Sequence, residues 1–104
     1  MVGFGLDYPD GTVVGAHAHD RAQVLCGLSG IVAVSTGTGA WMMTPEHGLW
    51  IPAEVVHAVR MIGAVRMRSL YLRPDALPGM PGDCTVLAMT PLVRSMIAEV
   101  TLLP

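Results

Sequence analysis

The feature that most limits what this chain can fold into is the brevity of its apolar runs between glycine turns. Thr12 to His19 reads as one strand and Arg21 to Leu28 as the next. Ser29-Gly30 turns the chain into the β-branched run Ile31 to Thr36, and Gly37-Thr38-Gly39 turns it again into Ala40 to Thr44. β-branched residues suit a pleated, half-buried surface, and glycine supplies the backbone angles that tight hairpins need. No strand of this length buries its apolar face alone. Several at regular spacing predict a sandwich or a barrel.

The flanks agree. Phe4, Leu6 and Tyr8 share a face by two-residue alternation, which predicts an edge strand ahead of the Tyr8-Pro9-Asp10-Gly11 turn. Pro45 to Gly48 reads as a loop. Leu49 to Ile51 is a short strand stopped by Pro52, which cannot donate to a ladder. Val56 to Ile62 and Ala64 to Leu72 form a hairpin about Gly63. Arg73 to Gly82 holds three prolines and two glycines, so a surface loop is expected there, followed by a last strand from Cys84 to Met89. At Thr90-Pro91 the pattern changes: threonine as cap and proline in the first turn start a helix. Leu92, Met96, Ile97 and Val100 fall on one of its faces. The expectation is one all-β domain over residues 1–89 with a C-terminal helix over 90–104.

The chemistry sits in His17-Ala18-His19. Two histidines one residue apart on a strand point the same way. Gln23 follows at a distance that lets the next strand bring it back beside them, and His57 is a distant fourth candidate. Three imidazoles and an amide oxygen suit a divalent transition metal such as zinc, nickel, copper or iron. Glutamine is neutral, so such an ion would keep its full charge and favour an anionic ligand. A polar cluster without an ion is the plainer reading of the same residues. His47, in its Pro-Glu-His-Gly loop, reads as a surface histidine.

At 104 residues the chain is one domain. Hydrophobic residues make up 52% and charged residues 13%. That balance leaves apolar surface to spare, so a homodimer is expected. The net charge is −2 and there is no lysine, which excludes a phosphate-tracking surface within the chain. Cys26 and Cys84 form no CxxC pair and read as inert, buried thiols. With no secretory leader and no membrane-length apolar run, a cytoplasmic setting is expected and no membrane role.

Gly11-x5-His17-x-His19-x3-Gln23-x6-Gly30 resembles the first signature motif of the cupin superfamily, with glutamine where cupins usually carry glutamate. Trp50-Ile51-Pro52 through His57 resembles the second, with Glu54 in place of the usual glycine and Met61 where asparagine is common. More narrowly, the chain is similar to the amino-terminal domain of AraC-type transcription regulators. The segments that carry this are His17 to Gln23, Ser29 to Val32, Gly39 to Met42, Trp50 to Pro52, His57 to Val59, Arg68 to Pro74 and Thr90 to Arg94. The resemblance implies a small cupin, or jelly-roll, β-barrel that binds a small-molecule effector, dimerises through its last helix and reaches DNA only through a helix-turn-helix domain absent from this chain.

In such a barrel Trp41, Met43, Trp50, Met61, Met67 and Tyr71 are candidate linings of the mouth, since ligand pockets are mostly apolar with few polar groups. Ordinary core is the alternative for each. Arg60, Arg66 and Arg68 read first as a solvated face and second as a clamp for an acidic ligand. The other function considered is a stand-alone metal-dependent cupin enzyme, a dioxygenase or isomerase. No clear acid–base pair supports it: Glu46 and Glu54 are the nearby carboxylates, both expected in loops. A non-enzymatic sensor is therefore the leading expectation.

Overall fold

The computed structural model describes residues 2–76 and 78–100, and in them the short strands assemble as two antiparallel sheets. The strands are β1 (Val2–Tyr8), β2 (Val13–His17), β3 (Ala22–Gly27), β4 (Ile31–Thr36), β5 (Ala40–Met43), β6 (His47–Ile51), β7 (His57–Ile62), β8 (Val65–Leu72) and β9 (Thr85–Ala88). One sheet has the order β1-β8-β3-β6-β9 and the other β2-β7-β4-β5. The lead-in segment is an edge strand, Phe4 standing opposite Ser69 and Leu6 opposite Met67.

The sheets face each other across one core. Leu25, Leu49, Ile51, Val65 and Met67 come from the first sheet, and Val32, Val34, Met43, Val59 and Met61 from the second. Alternation along each strand puts these residues inward and leaves their neighbours outward. The expected barrel is not closed: no ladder joins the two sheets, so this is a sandwich with free edges among the described residues.

Glycine matters most where the hairpins meet. Gly30 has φ +68°, and a Cβ there would lie 2.7 Å from the Ala64 carbonyl oxygen. Gly63 has φ +76° at the neighbouring turn. Both are places where an L side chain is disfavoured.

The helix α1 (Pro91–Val100) starts as expected, with the Thr90 hydroxyl accepting from the Val93 amide at 3.2 Å. It lies on the outer face of the five-stranded sheet, where Ile97 packs with Cys26 and Met89 against Val24, Leu28 and Leu70. The expected apolar face is split. Ile97 turns to the sheet, whereas Leu92 and Met96 are exposed. The last four residues of the expected helix lie outside the described residues. No described helix is long and apolar enough to cross a membrane.

Two further expectations change. Arg68 is not on a solvated face: it is buried over Gly5 and donates to Asp7 at 3.2 Å and to the Met67 carbonyl at 2.7 Å. Only Arg60 and Arg66 of that trio are exposed. Cys26 is buried, but Cys84 is only half-buried, and both thiols are free.

A candidate metal and ligand site

The site forms at one end of the sandwich, where strands of both sheets begin or finish. His17 is the last residue of β2 and His57 the first of β7, and they are partners in the ladder. Their ring centroids are 4.4 Å apart. His19 lies beyond the end of β2, in the connection that crosses to β3, with its ring 4.9 Å from His17 and 5.5 Å from His57. One ring nitrogen of each histidine lies within 4.8 Å of the others.

A shift in register makes this possible. Val13 and Val14 pair with Arg60 and Val59, but His17 pairs with His57, so β2 carries one extra residue between Val14 and His17. Val14 faces the interior. By strict alternation His17, three residues on, would face out. The bulge turns it back in, a common use of bulges beside functional sites.

Backbone carbonyls decide which nitrogens face the cavity. The Nδ1–H of His57 donates to the Val55 carbonyl at 2.9 Å, and that of His17 to the Gly15 carbonyl at 2.7 Å. A carbonyl only accepts, so each Nδ1 carries a proton, which in the neutral ring leaves Nε2 with the lone pair. His57 Nε2 and His19 Nε2 are buried with no partner. Burial pushes the His57 imidazole below its ordinary value, opposed by the Val55 bond and reinforced by His17 and His19. Burial and then His17 push His19 down too, against Asp20. Both rings are held neutral, the form that binds metal.

Gln23 comes in from β3. It is 4% exposed, its Nε2 donates to the Ser69 hydroxyl at 3.1 Å, and its Oε1 is buried and unpartnered. Tyr71 stands beside Ser69 in the lining; burial pushes its phenol up, with Ser69 opposing, and its ring lies 5.1 Å from that of His19.

These groups open onto a cavity of about 80 Å³ lined by Val14, Leu25, Val59, Met61 and Met67, with His17, Gln23, His57, Ser69 and Tyr71 at its polar end. Phe4, Leu6 and Tyr8 of the edge strand β1 also line it. The volume matches a few water molecules. No charged side chain lines it among the described residues.

The structure thus brings together His17, His19, Gln23 and His57, and adds Met61, Met67 and Tyr71. Trp41, Met43 and Trp50 go elsewhere. Met43 is in the central core and Trp41 packs at its side. Trp50 pairs with Val24 on the outer face, and its indole N–H donates to the Pro81 carbonyl at 3.0 Å beneath the proline-rich loop. His47 lies at the start of β6, near the Thr44 hydroxyl at 3.4 Å. The place of Ser69 and of β1 in the lining was not read from the sequence, although Phe4, Leu6 and Tyr8 were expected on one face of an edge strand.

Comparison with known proteins gives the family and the fold. Residues 2–103 match the model of the AraC-like ligand binding domain family. The HTH-type transcriptional regulator NimR of Escherichia coli is 30% identical over 81 residues, covering 78% of this chain and 29% of NimR. The chain therefore spans about three-tenths of that relative. A structure of unsaturated fatty acid bound ToxT from Vibrio cholerae superposes with a TM-score of 0.74 at 8% identity, over 96% of this chain and 45% of that one. A cupin superfamily protein from Desulfitobacterium hafniense gives 0.62 at 22% identity, over 65% of this chain and 62% of that one. The last two establish a shared fold.

Proposed function

The chain belongs to the AraC-like ligand binding domain family, and from that premise we propose that it is the sensor and dimerisation part of a transcription regulator, with a divalent transition metal at its ligand site. One observation carries the metal. His19 Nε2, His57 Nε2 and Gln23 Oε1 are buried polar atoms at one place, and among the described residues no protein group satisfies them. Each such atom costs about 1–3 kcal/mol when left unpaired. His17, His19 and His57 would hold the ion, and Gln23 would complete the set through its amide oxygen; zinc, nickel and iron all accept such donors.

The bound ion would supply a positive charge at the polar end of an apolar cavity. All four donors are neutral, and the described lining offers no carboxylate to cancel that charge. The effector is then a small anion with an apolar body, such as a short-chain carboxylate. Met61, Met67 and Val14 would take its chain, while Tyr71 and Ser69 offer hydroxyls beside its charged end.

Ligand binding regulates only if two states bind the ligand differently. The exposed Leu92, Val93 and Met96 beside an apolar groove of about 470 Å³ suit a second copy of the chain. DNA contact would belong to a separate helix-turn-helix part, as NimR's description suggests. A metal-dependent enzyme is the second reading, favoured by the way the imidazoles face the cavity, but the described lining holds no acid–base pair to serve it.

Elemental analysis of protein purified without chelator tests the metal. About one equivalent is expected for the donor set; less than about a tenth would sink it. Light scattering that finds only monomer at high concentration would remove the dimer.

A further inference from the structure

Two connections cross between the sheets at the site end. One runs from β2 to β3 and carries His19; the other runs from β6 to β7 through Pro52, Ala53, Glu54 and Val55. They are tied by a single backbone bond, the Glu54 amide donating to the His19 carbonyl at 2.7 Å. The next residue, Val55, supplies the carbonyl that fixes the His57 ring. Its own amide closes the turn onto the Pro52 carbonyl at 3.4 Å.

Glu54 makes this turn in an unusual conformation. Its φ is +70°, and among the described residues it is the one non-glycine with positive φ. A residue with a Cβ held there costs on the order of 1–3 kcal/mol and persists when its surroundings over-determine it. Nothing else explains the strain: the side chain is exposed, and no ion pair involves it among the described residues.

We propose that Glu54 is a positioning residue whose left-handed backbone, not its carboxylate, aligns His19 and His57 for metal binding. The inference rests on the metal reading above. The left-handed turn points the amide of residue 54 back at one histidine's carbonyl and the carbonyl of residue 55 at the other histidine's ring. Two of the three imidazoles are thereby set by one residue's φ.

The test compares Glu54→Gly with Glu54→Val in this chain. Glycine accepts positive φ freely and removes the carboxylate. Valine, being β-branched, resists it. Cobalt(II) titration followed by its visible absorption should give Glu54→Gly the wild-type affinity and spectrum. Glu54→Val should bind about tenfold or more weakly with an altered spectrum. Equal affinity in both variants and wild type would overturn the proposal, as would an equal loss in both, which would assign the role to the carboxylate. Ring-nitrogen NMR of the metal-free protein keeps the two readings apart. The Nδ1–H form of His57 should persist in Glu54→Gly and be lost in Glu54→Val. If wild type takes up no cobalt, the metal reading and the alignment for metal both fall, while an unchanged His57 tautomer in Glu54→Val would overturn the positioning by itself.

Discussion

His17 and His57 stand opposite each other in the β2–β7 ladder, ring centroids 4.4 Å apart, across a one-residue bulge. A one-residue slip moves a side chain to the other face of a sheet, so the bulge, by absorbing the extra residue, is what keeps the pair together. Deleting Ala16 should remove the bulge and leave His17 two residues after the inward Val14, still inward and still opposite His57. Metal affinity should then stay within a few-fold of wild type, whereas His17→Ala should lower it by at least about a hundredfold with secondary structure kept. A folded deletion variant that binds cobalt(II) as weakly as His17→Ala would show that the bulge serves some purpose other than offsetting the extra residue.

Replacing His17 and His19 together with alanine should abolish metal uptake and leave the fold and any dimer intact. Neither residue is in the buried core; both are half-exposed. Elemental analysis, circular dichroism and light scattering on the same sample separate the outcomes. Loss of folding would mean that the stretch is mainly structural.

The metal-free protein should lose stability as the solution becomes acidic. His19 and His57 both have folded-state values held below the ordinary imidazole value of about 6.5. The unfolded chain therefore binds more protons in that window, and stability rises with pH there. It is complete above the ordinary value and is lost as pH falls towards the depressed ones. Thermal melts between pH 5 and 8, a range set about the ordinary value, should show this slope, and His57→Gln should flatten it. An equal slope in the variant would place the effect in other groups. Metal should protect against acid until protons compete for the same nitrogens.

Much of this was legible because turn chemistry is local. Gly11, Gly30 and Gly63 were placed at turns from sequence, and each has positive φ. Thr90 caps the helix it was expected to cap. Long-range pairing was not legible. Trp50 and Ile51 are adjacent on β6, and only the pairing of Trp50 with Val24 decides that the indole goes outward while Ile51 enters the core. The β2 bulge has no marker in residue type, since Gly15-Ala16 fits a regular strand as well. Arg68 is buried because Gly5 on a neighbouring strand leaves room for it, a relation between positions 63 residues apart in the chain (68 − 5). Ser69 matters through Gln23, 46 residues away.

That last pair gives a prediction of coupling. Ser69 accepts from the Gln23 amide nitrogen, which leaves the amide oxygen facing the cavity. Ser69→Ala should weaken metal binding several-fold by freeing the amide to flip, and Gln23→Ala should weaken it by a similar amount. The double variant should be no worse than Gln23→Ala alone, because each change removes the same oriented oxygen. Additive losses in cobalt(II) affinity would mean that Ser69 acts independently of Gln23.

The two turn glycines at the end away from the site should separate stability from binding. At Gly30 a Cβ would meet the Ala64 carbonyl at 2.7 Å, Val65 Cγ2 at 2.9 Å and the Ile62 carbonyl at 3.0 Å. Backbone atoms cannot swing aside as a flexible side chain can. At Gly63 the same Cβ would meet only the Gly30 Cα, at 3.8 Å, an ordinary contact. Gly63→Ala therefore bears the conformational cost alone, about 1–2 kcal/mol. Gly30→Ala bears that cost and the clash, on the order of 3–4 kcal/mol. Ser29 stands beside Gly30 and ties the same turns, its hydroxyl donating to the Ala64 carbonyl and accepting from the Arg66 amide, both at 3.1 Å. Urea unfolding should rank wild type above Gly63→Ala and Gly63→Ala above Gly30→Ala. Whatever folds should bind cobalt(II) as wild type does, because the imidazoles sit at the opposite end of β4 and β7. Equal stability of the two variants would show that the hairpins part readily and that Gly30 is needed only for its backbone angle.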